Sequence, residues 1–284
     1  MTAIVLALVS AALFGGMSVT LRFALRGGAS PELGAFVTIL AALSVALVFA
    51  GARGIHDVAA AWPFLLAGLI APGTSQVLFT LAIRDAGPSR TSVLVGTAPL
   101  FSVAIALTLL DEPLVPMLIV GAVLIVAGGA VLVGERVRPE SFRLMGYAFA
   151  LAATVLFATR DNLLRQLAID TDVPPQLAAV ATLASGTLVV GGYAVLRRLR
   201  SGVPLRNGRL FALAGVWFGL SYAALFEAYY RGRVTVVSPL VATESLWGVT
   251  LSAVFLRRHE LVGPRLIAGA VLVVLGGALI GAAR

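Results

Sequence analysis

The chain has 284 residues, 60% hydrophobic and 12% charged, with a mean hydropathy of +1.01; a soluble domain carries roughly 25% charged residues, so the composition excludes one and indicates an integral membrane protein. Cysteine is absent, which excludes disulfides, a thiol nucleophile and thiolate-held metal, and the two histidines, His56 and His259, sit far apart in short polar connections, so neither metal nor cofactor is expected. The formal charge of +8 comes from arginines at the ends of apolar runs, a pattern of orientation in a bilayer rather than of nucleic-acid binding.

A helix needs about 20 apolar residues to cross the hydrocarbon core. Ten runs reach that length: 3–25, 31–51, 61–84, 88–110, 113–134, 144–167, 175–197, 209–230, 235–256 and 263–283. The first lacks a basic leader and is longer than a signal-peptide core, so it counts as a span; it carries Ser18 behind Gly15 and Gly16. In the third, Pro72 and Gly73 loosen the helix ahead of Thr74, Ser75, Gln76 and Phe79, and loosened backbone at mid-depth points to a transport site. The fourth offers Ser92 and Thr97. Near the end of the sixth, Arg160 and Asp161 read equally as an interfacial gate and as a solvated helix end. The eighth contributes Trp217, Phe218, Ser221 and Tyr222, while Tyr229 and Tyr230, beside Arg231, read as an interfacial aromatic belt. Connections such as LDEP and DTDVPP are short and stop one helix as they start the next, with Pro31, Pro88, Pro113 and Pro175 near first turns.

The ninth span poses the sharpest question. Glu244 stands in LVATESLWGV with about ten apolar-run residues on either side, where an ionised carboxylate costs at least a few kcal/mol. It must face the bundle interior, find partners or be protonated. Either it is a cavity acid that meets a substrate ammonium group or carries a proton, or it is a neutral residue tying its helix to a neighbour. Thr243 precedes it, and Trp247, three positions on, shares its face, so carboxylate and indole are expected to border one cavity.

The two halves of the chain match. APLFSVAIALTLLDEPLVPMLIVGAVLIVAGGAVL lies over LWGVTLSAVFLRRHELVGPRLIAGAVLVVLGGALI without a gap, at an offset of 148 (Glu112 on Glu260, Gly121 on Gly269), which places Trp247 over Pro99. A weaker match sets Arg22 over Arg165. Five spans per half, an odd number, predict that the copies enter the membrane from opposite sides, with repeats at 1–138 and 139–284 and the site between them. Gly121 with Gly128, and Gly269 with Gly276, are seven residues apart and form stripes for close helix approach. Glu112 and Glu260 fall at helix starts and read as caps.

The half-length pattern of Ala82 to Pro88, Pro99, Glu112, Gly121, Gly128 and Gly129, repeated in Tyr230, Glu260, Gly269, Gly276 and Gly277, resembles the EamA domain. Two such domains make a ten-helix member of the drug/metabolite transporter superfamily, and within it the chain most resembles YddG-type aromatic amino acid exporters. The resemblance implies an all-α integral membrane fold and a multi-pass exporter of amino acids, aromatic or hydrophobic, and related metabolites, in a bacterial inner membrane. The expected substrate cavity comprises Ser75, Gln76, Phe79, Thr97, Trp217, Tyr222, Thr243, Glu244 and Trp247: aromatic walls with few polar groups, suited to an amphipathic small molecule. Expected partners are that substrate and the lipid bilayer; the oligomeric state is left open, and a monomer accommodates the duplicated plan. A lipid-linked-substrate flippase is the competing transport reading. An intramembrane enzyme finds no HExxH helix, G-x-S-x-G elbow or Walker loop to support it. Arginines favour the odd-numbered connections fifteen to six, which predicts both termini outside.

Overall fold

The computed structural model describes residues 2–54, 58–109, 116–133, 142–201, 205–256 and 262–282. His56, His259, Pro113 and the two expected caps, Glu112 and Glu260, lie outside the described residues. Among the described residues every regular element is helical. Helix α1 (Thr2–Ala24) leads to α2 (Pro31–Arg53), which starts on Ser30, whose hydroxyl accepts from the Leu33 amide, and ends before Gly54 at φ 80°. Next come α3 (Trp62–Gly68), a π-helical segment (Leu69–Thr74) and α4 (Ser75–Ala86). The loosening expected from Pro72 and Gly73 is present, since Ala71 leaves helical geometry at φ −145°, ψ 122°. Helices α5 (Pro88–Val95) and α6 (Ala98–Leu109) follow, and α7 (Pro116–Val133) closes the first half. The second half holds α8 (Met145–Asp170), α9 (Pro175–Ser201), α10 (Gly208–Arg231), α11 (Val234–Val241), α12 (Glu244–Phe255) and α13 (Pro264–Ala282).

Among the described residues, seven helical stretches are long and apolar enough to cross a membrane, and Pro116–Leu132 is a shorter apolar helix. The two remaining expected spans are α8, which carries Arg160, Asp161 and Arg165 within it, and the interrupted pair α5–α6. Apolar burial does not drive helices together in lipid, so close packing has to. The glycine stripes provide it against each other. A Cβ on Gly121 would lie 2.7 Å from the Gly276 carbonyl oxygen, and one on Gly128 would lie 2.7 Å from that of Gly269, so α7 and α13 run antiparallel in backbone contact.

Contacts recur between the halves. The Arg22 guanidinium on α1 donates to the Ile83 and Arg84 carbonyls at the end of α4, and Arg165 on α8 donates to the Tyr229 carbonyl at the end of α10. Gly146, at the start of α8, abuts Ala86 at the end of α4, while Gly232, after α10, abuts Ala3 at the start of α1. Both pairs give one register: α8 follows α1 by 143 residues (Arg22 to Arg165, Ala3 to Gly146) and α10 follows α4 by 146 (Ile83 to Tyr229, Ala86 to Gly232).

The gapless alignment is corrected by the helix bounds. Helices α5 and α6 match α11 and α12 end for end at an offset of 146 (Pro88 to Val234, Leu109 to Phe255), whereas α7 and α13 keep 148. The second half therefore carries two more residues between Glu244 and Gly269 than the first does between Ala98 and Gly121. Trp247 therefore corresponds to Phe101, and Pro99 to Ser245. Both copies break in mid-span at the same place, within LVGTAPL and LVATESL.

Candidate functional site

The breaks create the site. Thr97 and Thr243, in equivalent positions, each donate their hydroxyl to the carbonyl three residues back, Leu94 and Leu240, at 2.6 Å. Such local bonds compete with the regular helical ladder. The backbone stays paired through short-turn bonds, Thr97 N to Leu94 O and Thr243 N to Leu240 O at 3.0 and 3.2 Å, as a membrane interior requires. Glu244 is therefore the first residue of α12 rather than the middle of a continuous helix, a position where the helix dipole favours negative charge.

A cavity opens beside this turn. Its wall comes from Ser10 and Phe14 of α1, Val95 and Ala98 at the first break, and Phe157, Arg160 and Asp161 of α8; Ser221, Tyr222 and Leu225 of α10 complete it with Ser238, Val241, Ala242 and Glu244 at the second break. Its volume is about 30 Å³, room for roughly two waters. One end is pinned by reciprocal bonds at 2.9 Å in which the Ser10 and Ser221 hydroxyls donate to each other's carbonyls. Phe14 lies tilted against Phe79 at 5.0 Å and meets Phe157 edge-on at 6.0 Å, an apolar floor in which each ring pair adds about 0.5–1.5 kcal/mol.

The polar wall is a closed network beside two atoms unpartnered among the described residues, Glu244 Oε1 and Ser238 Oγ. Arg160 donates Nε and Nη2 to Asp161 Oδ1 at 2.9 and 2.7 Å and Nη1 to the Tyr222 hydroxyl at 2.8 Å. Tyr229 donates to Asp161 Oδ2 at 2.8 Å. The Arg160 guanidinium also lies over the Phe157 and Tyr222 rings at 5.2 and 5.1 Å, a cation–π arrangement that suits a desolvated cation. Arg160 and Asp161 thus balance each other within a protein interior, where breaking such a pair costs about 3–5 kcal/mol. Glu244 stands apart. It is 4% exposed, and its Oε1 accepts no hydrogen bond from the described residues.

The structure brings Tyr222, Glu244, Arg160 and Asp161 together. The solvated-end reading of Arg160 and Asp161 is excluded, because both lie inside α8 and are about 5% exposed. The interfacial reading of Tyr229 is likewise overturned: its side chain is fully buried because its turn of α10 faces α8. Trp247 does not border the cavity. Its Cβ comes within 2.8 Å of where a Cβ on Gly15 would sit, and the residue is 42% exposed on the outside of the bundle. Trp217 rests against Gly16, and Phe79 stands behind the cavity wall on Phe14. Thr97 and Thr243 hold the two turns. Ser75 and Gln76 are buried away from this cavity, with Ser75 Oγ and Gln76 Nε2 unpartnered among the described residues. Sequence reasoning passed over Ser10, Phe14, Phe157 and Ser238; the second-half register, which pairs Phe14 with Phe157, is the signal that could have found two of them.

Comparison with known proteins agrees with this architecture. The profile of the EamA-like transporter family matches residues 1–134 and 144–282. No curated protein matches the sequence. A solved structure titled "Crystal structure of protein" superposes with a TM-score of 0.68 over 98% of this chain and 95% of that one, at 22% identity, a likeness of fold alone.

Proposed function

Because the chain belongs to the EamA-like transporter family, we propose that it is a secondary transporter that exports amino acids, aromatic or hydrophobic ones foremost, and related metabolites across a bacterial inner membrane. In this reading ten spans form two inverted five-helix repeats, 1–138 and 139–284, which rock about the cavity between them. The antiparallel glycine stripes and the recurring α1–α10 and α4–α8 contacts support the inversion. The wall of Phe14, Phe157 and Leu225 supports an apolar side chain on the cargo, as does the resemblance to YddG-type exporters. The carrying observation is Glu244: a buried acid with an unbonded oxygen on the cavity, next to an arginine already neutralised by Asp161. That arrangement favours a cargo bearing an ammonium group, or a proton in its place.

Purified protein in proteoliposomes tests the reading. Saturable, protein-dependent flux of phenylalanine or tryptophan is expected, and its absence across the aromatic and branched-chain amino acids overturns the proposal. Glu244→Gln is expected to lose uptake driven by a pH gradient while retaining counterflow at reduced rate. A variant that keeps both at the wild-type level removes Glu244 from the mechanism. The arginine-rich end, which gathers the connections 25–30, 142–144 and 205–207, is the cytoplasmic one in this proposal.

A further inference from the structure

The register that relates the two halves maps the cavity onto a second place in the molecule. Phe14 and Phe157 exchange under it, as do Val95 with Val241 and Ala98 with Glu244, so the relating axis passes through the cavity itself. The remaining wall residues map elsewhere. Ser221 of α10 corresponds to Ser75 of α4, Tyr222 to Gln76 and Ser238 to Ser92, at the offset of 146 that the helix bounds and the terminal contacts give.

These three counterparts share a property. Ser75, Gln76 and Ser92 are at most 1% exposed, and Ser75 Oγ, Gln76 Nε2 and Ser92 Oγ all lack a hydrogen-bond partner among the described residues. A buried polar group left unpaired costs about 1–3 kcal/mol. The reason for one orphan is visible: Ser221 pairs with Ser10, but the counterpart of Ser10 is Ala153, which offers Ser75 no hydroxyl. Three such groups, drawn from α4 and α5 and set where the duplication places a cavity wall, are accounted for together if the wall is at times wet.

We propose that Ser75, Gln76 and Ser92 line a second vestibule, closed in this structure, that opens toward the end of the molecule opposite to the cavity now present. This rests on the transporter reading. The second vestibule is chemically unlike the first. Arg160, Asp161 and Tyr222 correspond there to Met17, Ser18 and Gln76, so these positions present a hydroxyl and an amide in place of the ion pair. It takes the neutral hydrogen-bonding part of an amphipathic cargo, while Glu244, close to the axis, is the one ionisable group within reach from both sides.

The absence of native cysteine makes the test clean. Ser221→Cys, Ser75→Cys and Ser92→Cys are introduced singly into the full chain, and a membrane-impermeant methanethiosulfonate ammonium reagent is applied to either face of oriented vesicles. Ser221→Cys is expected to react from the face that holds the 171–174 connection. Ser75→Cys and Ser92→Cys are expected to react only from the face that holds the 25–30 connection, with no labelling from the other. Both being silent from both faces, or reacting from the 171–174 face, overturns the vestibule. Amino acid flux in the same vesicles separates the two proposals: flux with silent Ser75→Cys and Ser92→Cys rejects the vestibule alone, whereas no flux of any aromatic or branched-chain amino acid rejects the transporter reading beneath it.

Discussion

Asp161 carries more of the site than its sequence neighbourhood announces. One oxygen serves two nitrogens of Arg160, and the other accepts from Tyr229. Tyr229→Phe leaves Oδ2 without that donor in a buried setting, which is expected to lower stability by about 1–3 kcal/mol and to slow transport. Detergent-based unfolding and flux check both; an unchanged unfolding midpoint would mean that another donor already serves Oδ2. Glu244 was legible from sequence because a single carboxylate in an apolar run is expensive wherever it points. Tyr229 was not, because a tyrosine beside Arg231 near a helix end fits an interfacial belt equally well, and only the packing of α10 on α8 decides. Trp247 shows the reverse error: three residues from Glu244 fixes a helix face, but a start of the helix at Glu244 and contact of its Cβ with Gly15 put the residue on the outside of the bundle.

Between elements, the separation of two helices is set by what is missing from their contact. Gly276→Ala would bring a Cβ to 2.5 Å from the Gly121 carbonyl oxygen, so α7 and α13 must part. A loss of about 1–3 kcal/mol is expected on overpacking grounds. Gly129→Ala is the matched control. Nothing lies within 4 Å of its added Cβ, and helix propensity favours alanine by up to about 1 kcal/mol, so neutrality or a small gain is expected. Denaturant titrations of the two variants side by side measure the contrast, and equal losses would show that the stripe does not set the approach. The stripes could be read in advance from their seven-residue spacing. The mid-span breaks could not, since the threonine hydroxyls that close them look like ordinary helical residues, and the alignment hid their equivalence by running without a gap across connections of unequal length.

At the scale of the whole chain, both ends carry equivalent close contacts, Gly146 on Ala86 at one and Gly232 on Ala3 at the other. Alternating access requires each to part in turn. Paired cysteines at Ala86 and Gly146, and separately at Ala3 and Gly232, are therefore expected to abolish flux on oxidation and to restore it on reduction. If one oxidised pair leaves turnover intact, that end does not gate. Helical class, membrane placement and duplication were all plain in the sequence, because hydropathy and repetition are properties of the chain itself. The site was only partly so, since a cavity depends on how two copies meet.

Phe14 and Phe157 are the same residue twice over, one from each copy, touching at the axis. Under the transport reading, cargo bound for either face has to slip past this single pair of rings, which makes them a shared turnstile. A narrower side chain at either position then widens passage for inward and outward traffic alike, and the direction of net movement is left to the gradients rather than to the aromatic threshold.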